Sequence, residues 1–285
     1  MRRKRFDVVP YDLAATLTSG QAFRWRCRDD GWEGVVQGRW VRLQSARYGI
    51  QAEVMPPVRN WMWLSDYLQI DENLAGVIAT FPDDEPMRAA VAACRGLRLL
   101  RQDPWECLAS FILSSTKQIV QIRQIIAVLC ERYGEPVIAP KYCEPSFAFP
   151  SPERIAAAGE SELRACKMGF RAPNLLAASR MIAGGEVVLP RLATLPVDAA
   201  RAELLRLPGV GRKIADCVLL FACGFQDAFP VDVWVAKALH RLYFPGRRVT
   251  LEQLRRFAAA HFGPFAGYAQ QYLFHYTRVH AKLKS

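Results

Sequence analysis

The sequence predicts an α+β protein, with an N-terminal domain that contains antiparallel strands followed by a larger, mainly helical domain. Residues up to about 54 alternate short apolar segments with turn residues, as strands do. From residue 99 onward, apolar side chains recur at helical spacing and capping residues mark several helix starts. The chain has 285 residues, 51% of them hydrophobic, so it can bury a real core. We place the domains at residues 1–98 and 99–285.

The N-terminal domain is predicted to hold strands at residues 23–25, 32–36 and 39–43, separated by Gly, Asp and Arg turns. Residues 1–5 (MRRKR) have no apolar segment behind them, so they are not a secretory signal, and we expect a solvated tail. Residues 56–98 are predicted to be mainly helical, with helices over residues 61–68 and 86–94.

Capping residues define the helices of the second domain. Asp103 precedes a proline and stands three residues before a glutamate, which predicts a helix to residue 114. We expect Asp198 to cap a helix to residue 206, and Thr250 to open another with a capping box. The remaining helices are predicted over residues 118–134, 152–158, 160–167 and 173–182, with a last helix from near residue 264.

Charge and cysteine content limit the function classes. A net charge of +11 favours a polyanionic partner such as nucleic acid. The eight cysteines form no metal-ligand pattern, and none follows Cys223, which excludes a four-cysteine iron–sulfur loop near the C-terminus. We therefore expect reduced thiols, no metal and no cofactor. The longest apolar run, residues 217–225, is too short for a bilayer, so we expect no membrane partner.

The most informative stretch is residues 205–217 (LRLPGVGRKIADC). A helix ends, a tight turn follows through Gly209, Val210 and Gly211, and a second helix begins near Arg212. The two glycines permit positive φ and leave no Cβ in the way of a ligand. Backbone amides at a helix N-terminus attract an anion such as a phosphate. The ordinary alternative is a plain helix–helix turn, for which one glycine would suffice.

This stretch resembles the helix–hairpin–helix of a DNA glycosylase superfamily, in which a Gly/Pro-rich loop ending in aspartate follows the hairpin. Residues 229–233 (FPVDV) match that loop. The resemblance implies that Lys213 is the nucleophilic lysine of the members that also cleave the DNA backbone, and that Asp232 is the catalytic aspartate.

The chemistry of these two residues supports the resemblance. Lys213 lies in the first turn of its helix, where the helix dipole and partial burial disfavour the ammonium form. A neutral amine can attack the sugar carbon and form a Schiff base. The ordinary alternative is a surface lysine that pairs with Asp216. Asp232 could cap a helix, and its carboxylate could also stabilise a cationic sugar, two roles that are compatible.

Four segments narrow the resemblance to the 8-oxoguanine DNA glycosylases of eukaryotic type and their prokaryotic relatives: residues 17–25 (LTSGQAFRW), 99–112 (LLRQDPWECLASFI), 168–172 (MGFRA) and 268–274 (YAQQYLF). It implies that the Gly20 carbonyl accepts the N7–H that oxidation creates, since normal guanine has only an acceptor at N7. Cys217 would contact the face of the flipped base, Gln270 would hydrogen-bond its edge, and Phe274 would stack on it. The ordinary alternatives are a turn glycine, a packing thiol and a core phenylalanine beside an exposed glutamine.

The segment 168–172 concerns the duplex. The resemblance implies that Phe170 wedges into the base stack and that Arg171 reads the orphaned base. The ordinary alternatives are a packed aromatic ring and a solvated arginine.

Three positions depart from the eukaryotic pattern. Thr116 begins the run that stands in place of an asparagine segment, and Gln121 occupies the place of an arginine. We therefore expect weaker selectivity for cytosine opposite the lesion. Trp234 stands where those members have a phosphate-contacting histidine, and its role stays open.

The sequence thus predicts a bifunctional DNA glycosylase and AP lyase that removes 8-oxoguanine from duplex DNA, as a monomer. We expect it in the cytoplasm, with the nucleoid in a prokaryote, or in the nucleus of a eukaryote. One alternative is a glycosylase of the same fold for another damaged purine, and Lys213 argues against the alkyl-purine enzymes, which lack that lysine. Another is a non-catalytic DNA-binding protein, which would not need Lys213, Asp232 and a base pocket together.

Overall fold

The computed structural model describes residues 1–115 and 118–279, and it confirms the predicted α+β class. The strands are β1 (Arg2–Asp7), β2 (Arg26–Arg28), β3 (Gly31–Val36), β4 (Arg39–Ala46), β5 (Gly49–Met55), β6 (Pro136–Val137) and β7 (Ser146–Phe147). The helices are α1 (Leu13–Thr18), α2 (Met62–Leu68), α3 (Leu74–Ile78), α4 (Glu85–Ala93), α5 (Pro104–Leu113), α6 (Ile119–Tyr133), α7 (Pro152–Ala156), α8 (Glu160–Leu163), α9 (Ala172–Ala183), α10 (Val197–Leu205), α11 (Arg212–Val218), α12 (Val233–Tyr243), α13 (Leu251–His261) and α14 (Ala266–Val279).

Strands β1 to β5 form one antiparallel sheet in the order β1-β5-β4-β3-β2. The register places Val41 of β4 opposite Val54 of β5, and both side chains are fully buried. Side chains that alternate between faces in this way bury one face of the sheet against α1 and α2. The strands predicted over residues 32–36 and 39–43 are confirmed.

The basic N-terminal segment is not the solvated tail that its composition predicts. Residues 2–7 form β1 and pair with β5 along their whole length, from Arg2 opposite Val54 to Asp7 opposite Gly49. Phe6 explains the difference, because its ring is 4% exposed and packs edge-on against Trp61 at 6.2 Å between centroids. One buried aromatic side chain anchors a strand whose other side chains remain in solvent.

The prediction of a strand over residues 23–25 is also wrong, since the paired strand begins only at Arg26. The Trp25 ring lies against Gly34 of β3, where a Cβ would stand 2.8 Å from the indole. Its Nε1 donates to the Tyr67 hydroxyl at 2.8 Å. Trp25 thus covers the face of the sheet instead of extending its edge. The helix α1, in the segment that reads as β, was not predicted either.

Buried apolar residues form two clusters. The smaller joins the sheet to α1 and α2, and the larger spans the helices from α3 to α14. The clusters meet near residue 100, where Leu99 belongs to the larger and Leu100 to the smaller. The proposed division between residues 98 and 99 stays a prediction.

Capping determines where the helices of the second domain begin. Asp103 accepts from the Glu106 amide at 2.8 Å, and Thr250 forms the predicted capping box. Asp198 is not a cap, because α10 begins at Val197 and the Asp198 carboxylate bonds the Arg201 guanidinium within the first turn. No helix in the described part of the chain is both long and apolar enough to cross a membrane.

Candidate active site

Helices α10 and α11 flank the hairpin at the positions that the sequence predicts. Gly209 adopts φ +78°, and a Cβ there would lie 2.7 Å from the Asn174 side chain of α9. The expectation of positive φ is wrong for Gly211, which has φ −95°. A Cβ on Gly211 would meet nothing within 4 Å. Gly209 is thus required by the turn itself, whereas Gly211 leaves the surface above the α11 amides open.

Lys213 projects from the first turn of α11 and is half-buried. Its Nζ lies 4.9 Å from the centroid of the Phe111 ring and 3.5 Å from the Ser114 Oγ. Both neighbours belong to the end of α5. The amine is therefore held against the aromatic face of Phe111 and beside the Ser114 hydroxyl.

The alternative pairing of Lys213 with Asp216 is wrong. The Asp216 carboxylate is buried and accepts from the Arg201 Nε at 2.7 Å, while Arg212 lies 3.9 Å away. Burial raises the pKa of Asp216, and Arg201 opposes that shift. The carboxylate thus ties α11 to α10 and leaves the lysine amine without an acidic partner on its own helix.

Asp232 precedes α12 and caps it, because its Oδ1 accepts from the Val235 amide at 2.7 Å. Cys217, one turn after Lys213, is 3% exposed. Burial raises the pKa of its thiol to about 12, the positive charge of Lys213 lowers it, and the negative charge of Asp232 raises it further. The thiol is therefore protonated and lies within the electrostatic influence of both the lysine and the aspartate.

Gly20 and Phe274 are 254 residues apart in sequence and lie against each other in the structure. Gly20 has φ +83°, and a Cβ there would lie 3.3 Å from the Phe274 ring, 3.4 Å from the Arg278 Nη1 and 3.6 Å from the Ile119 Cδ1. A side chain at position 20 would displace these groups. The glycine therefore permits the close approach of the Phe274 ring to the backbone at position 20.

Gln270 lies one helical turn before Phe274 on α14 and is 4% exposed. Its Oε1 is buried and accepts no hydrogen bond from the described residues. A buried amide oxygen without a partner is costly. A ligand with N–H donors, such as the edge of a purine, would satisfy it.

Buried glutamines hold the Gly20 turn in place. The Gln271 Nε2 donates to the Ser19 carbonyl at 2.9 Å, which links α14 to the turn. Gln21 is fully buried, and its Nε2 donates to the carbonyls of Thr16 and Arg98. The carbonyl of Gly20 is thus framed by residues whose own polar groups are satisfied.

Phe170 and Arg171 follow a distorted helix end. Lys167 has φ +65°, and the turn leaves the Phe170 ring 60% exposed. Arg171 is 2% exposed, bonds the carbonyl of Ser115 and lies 4.3 Å from the Phe170 centroid. Desolvation lowers the pKa of its guanidinium. The Phe170 ring therefore projects outward and packs on the buried guanidinium of Arg171.

The junction between α5 and α6 contacts all three parts of the site. Ser114 is the hydroxyl beside Lys213, Ser115 binds Arg171, and Ile119 packs at Gly20. A further contact, 5.6 Å between the ring centroids of Phe23 and Phe111, joins the Gly20 segment to the neighbour of Lys213. Lys213, Arg171 and Gly20 therefore each have a neighbour at the end of α5 or the start of α6.

Of the two residues near this junction in sequence that depart from the eukaryotic pattern, the structure describes only Gln121. Thr116 lies outside the described residues. Gln121 lies in the first turn of α6, and its Oε1 accepts from the Gln118 amide at 3.3 Å as part of a capping box. The Gln121 side chain thus stabilises the N-terminus of α6.

Trp234 lies directly after Asp232 and is 49% exposed, with the Lys237 ammonium 5.6 Å from its ring. This outward position beside the candidate catalytic carboxylate places an indole and a cation on the open face of α12.

Sequence reasoning missed four side chains that the site contains, namely Phe111, Ser114, Ile119 and Arg278. The first three lie on α5 and α6, whose packing against α11 and the Gly20 turn has no signal in sequence. Arg278 had one, because it follows Phe274 by four residues and so shares its helix face.

The two parts of the chain match two described families. Residues 5–108 match the family described as 8-oxoguanine DNA glycosylase, N-terminal domain. Residues 109–262, slightly more than half of the chain, match the family described as HhH-GPD superfamily base excision DNA repair protein.

Individual relatives cover nearly the whole chain. A probable N-glycosylase/DNA lyase of Methanothermobacter thermautotrophicus is 30% identical over 96% of each chain. An N-glycosylase/DNA lyase of Arabidopsis thaliana is 29% identical over 92% of this chain and 76% of the relative. The Clostridium acetobutylicum 8-oxoguanine glycosylase/lyase, solved with double-stranded DNA containing cytosine opposite 8-oxoguanine, is 30% identical with a TM-score of 0.88. That likeness covers 94% of this chain and 92% of the solved one.

Proposed function

This chain belongs to the HhH-GPD superfamily of base excision DNA repair proteins and carries the N-terminal domain of 8-oxoguanine DNA glycosylases. From that membership we propose that Lys213 is the nucleophile of the reaction. The protein is a bifunctional DNA glycosylase and AP lyase that removes 8-oxoguanine from DNA. The observation that carries the role of Lys213 is the position of its amine, half-buried over Phe111 and beside Ser114.

The reaction follows from these groups. The Lys213 amine attacks the sugar C1′ with its lone pair, the C1′–N9 bond breaks, and the base leaves with the electron pair and takes up a proton. The Asp232 carboxylate stabilises the positive charge that develops on the sugar. One Nζ proton passes to the ring O4′ as the C1′–O4′ bond breaks, and a protonated Schiff base forms between Nζ and C1′. Removal of a C2′ proton then expels the 3′ phosphate, and hydrolysis releases the lysine.

The base pocket accounts for the substrate. Gly20 offers its carbonyl to the N7–H of the oxidised base, Phe274 stacks on one face, and the buried Gln270 oxygen accepts from the Watson–Crick edge. Cys217 meets the base as a neutral thiol, because burial keeps its pKa near 12.

The duplex contacts complete the proposal. The exposed Phe170 enters the stack where the base has left. Arg171, which is buried and bonded to the Ser115 carbonyl in the free protein, turns outward to read the orphaned base. The hairpin of Gly209, Val210 and Gly211 holds a phosphate with its amides. Thr116, which stands in sequence for the asparagine run of the eukaryotic members, is a further proposed DNA contact. The protein works as a monomer where the DNA is, in a nucleoid-containing cytoplasm or a nucleus.

Borohydride trapping on a duplex that contains 8-oxoguanine tests the role of Lys213. Wild type should form a covalent adduct, and Lys213→Gln should abolish it, because glutamine cannot form the Schiff base. Lys141→Gln removes an exposed lysine from a loop and should trap like wild type. An adduct with Lys213→Gln would assign the nucleophile to another residue.

Opposite-base selectivity is tested with 8-oxoguanine paired to each of the four bases. Because Gln121 serves the start of α6 and Thr116 replaces an asparagine, we expect only a shallow preference for cytosine. A steep ratio of cytosine over adenine would contradict this expectation.

A further inference from the structure

Arg278 continues a row of side chains on α14. Gln270, Phe274 and Arg278 follow one another at intervals of four residues, so they share one face of the helix. The first two belong to the proposed base pocket. The third lies at the end of that pocket that holds Gly20.

The contacts of Arg278 fix its guanidinium at this end. Its Nη2 donates to the Thr18 carbonyl, two residues before Gly20. The guanidinium carbon lies 5.4 Å from the Phe274 ring centroid, and Nη1 lies 3.4 Å from where a Gly20 Cβ would be. The arginine therefore sits between the glycine turn and the aromatic ring.

Nη1 is the unsatisfied part of this arrangement. It is buried and has no hydrogen-bond acceptor among the described residues, and the same holds for the Nε of Arg123 on α6. Desolvation lowers the pKa of Arg278, and the positive charge of Arg123 lowers it further. No carboxylate of residues 1–115 and 118–279 opposes either shift. A buried cationic donor without an acceptor is costly, so an arriving acceptor would be bound well.

The oxidised base presents such an acceptor. Compared with guanine, 8-oxoguanine carries two changes side by side, a donor at N7 and a carbonyl oxygen at C8. The Gly20 carbonyl matches the new donor, and the adjacent Nη1 of Arg278 matches the new acceptor.

We propose that Arg278 is a specificity-determining residue whose Nη1 donates a hydrogen bond to the C8 carbonyl of the flipped base. This inference rests on the proposed function of the pocket. Gly20 and Arg278 together then read both changes that oxidation makes to guanine. Guanine itself would leave Nη1 unsatisfied opposite a C8–H.

Binding to uncleavable substrates tests the inference. Duplexes carry 2′-fluoro-8-oxodeoxyguanosine or 2′-fluorodeoxyguanosine opposite cytosine, and the ratio of their dissociation constants gives the selectivity. Arg278→Met should reduce that ratio about tenfold or more, because a hydrogen bond to a charged donor is lost. Arg88→Met removes an exposed arginine from α4 and should leave the ratio unchanged. A ratio for Arg278→Met within twofold of wild type overturns the inference.

Cleavage of a preformed abasic site separates recognition from folding. That reaction uses Lys213 and involves no nucleobase that would have to be recognised, so Arg278→Met should retain it. If the variant lacks this lyase activity, Arg278→Gln replaces it, since its amide can reach the Thr18 carbonyl but not the base as well. The same fall in ratio is expected there, and a ratio within twofold of wild type again overturns the inference. A wild-type protein that does not prefer the oxidised base contradicts the proposed function instead.

Discussion

Asp232 performs a structural task and, in our proposal, a chemical one. Its carboxylate caps α12 through the Val235 amide. A capping carboxylate is held rigidly, which suits a group that must stabilise charge at one point. The two roles can be separated because asparagine caps a helix nearly as well as aspartate but carries no charge.

Asp232→Asn should therefore keep the unfolding free energy within about 0.5 kcal/mol of wild type. Excision of 8-oxoguanine in single turnover should slow by about 100-fold or more, with little change in DNA affinity. Asp232→Ala is the matched variant, which should also lose about 1 kcal/mol of stability with the cap. Unchanged turnover in the asparagine variant would reduce Asp232 to a helix cap.

Cys217 should be an unreactive thiol despite its place beside a cationic lysine. Burial raises its pKa from 9.0 to about 12, which lowers the thiolate fraction about 1000-fold at pH 8. Iodoacetamide followed by peptide mass spectrometry should label the exposed Cys27 at pH 8 and leave Cys217 intact. Labelling of Cys217 should increase as the pH rises toward 12. Equal rates at the two cysteines would contradict the thiol assignment.

At the scale of elements, the two glycines of the hairpin meet different requirements, one for folding and one for binding. Gly209 has positive φ and its Cα faces Asn174, whereas Gly211 has an ordinary φ and faces open space. The same residue type thus serves the turn at one position and the approach of a ligand at the other.

Gly209→Ala should lower the unfolding free energy by about 1–3 kcal/mol, because alanine resists positive φ and its methyl group overlaps Asn174. Gly211→Ala should change stability by less than about 0.5 kcal/mol and weaken DNA binding about fivefold, by obstructing one phosphate contact. Urea denaturation and fluorescence anisotropy measure the two effects. If both variants behave alike, the hairpin does not divide its roles in this way.

At the scale of the whole molecule, the site depends on contacts between distant parts of the chain. The Gln271 side chain is 2% exposed and joins α14 to the Ser19 carbonyl across 252 residues. This contact sets the position of the Gly20 carbonyl relative to Phe274. Recognition of the base therefore depends on how the two apolar clusters are held together.

Gln271→Leu should cost about 1–3 kcal/mol of stability, because the Ser19 carbonyl loses its buried donor. Selectivity for 8-oxoguanine over guanine should fall, while cleavage of a preformed abasic site persists. Gln124→Leu, which replaces an exposed glutamine on α6, is the control for stability and selectivity. Undiminished selectivity in the Gln271 variant would show that Gly20 is positioned by other contacts.

The sequence by itself determined the features that depend on neighbours in the chain. The α+β class, the cap at Asp103, the hairpin and the helix that Asp232 begins follow from local turn and capping chemistry. The same local information failed at Phe6, whose burial turns a basic segment into a strand, and at Asp198, whose carboxylate prefers an arginine to a helix amide.

Only the tertiary structure decided which side chains meet. It placed Phe111 and Ser114 beside Lys213, paired Asp216 with Arg201, and brought Arg278 against Gly20. Such contacts depend on how helices pack across long separations in sequence. The spacing of apolar residues predicts which face of a helix is buried, but it does not predict which other element that face packs against. The physical reason is that packing is a property of pairs of surfaces, whereas a sequence pattern describes one surface at a time.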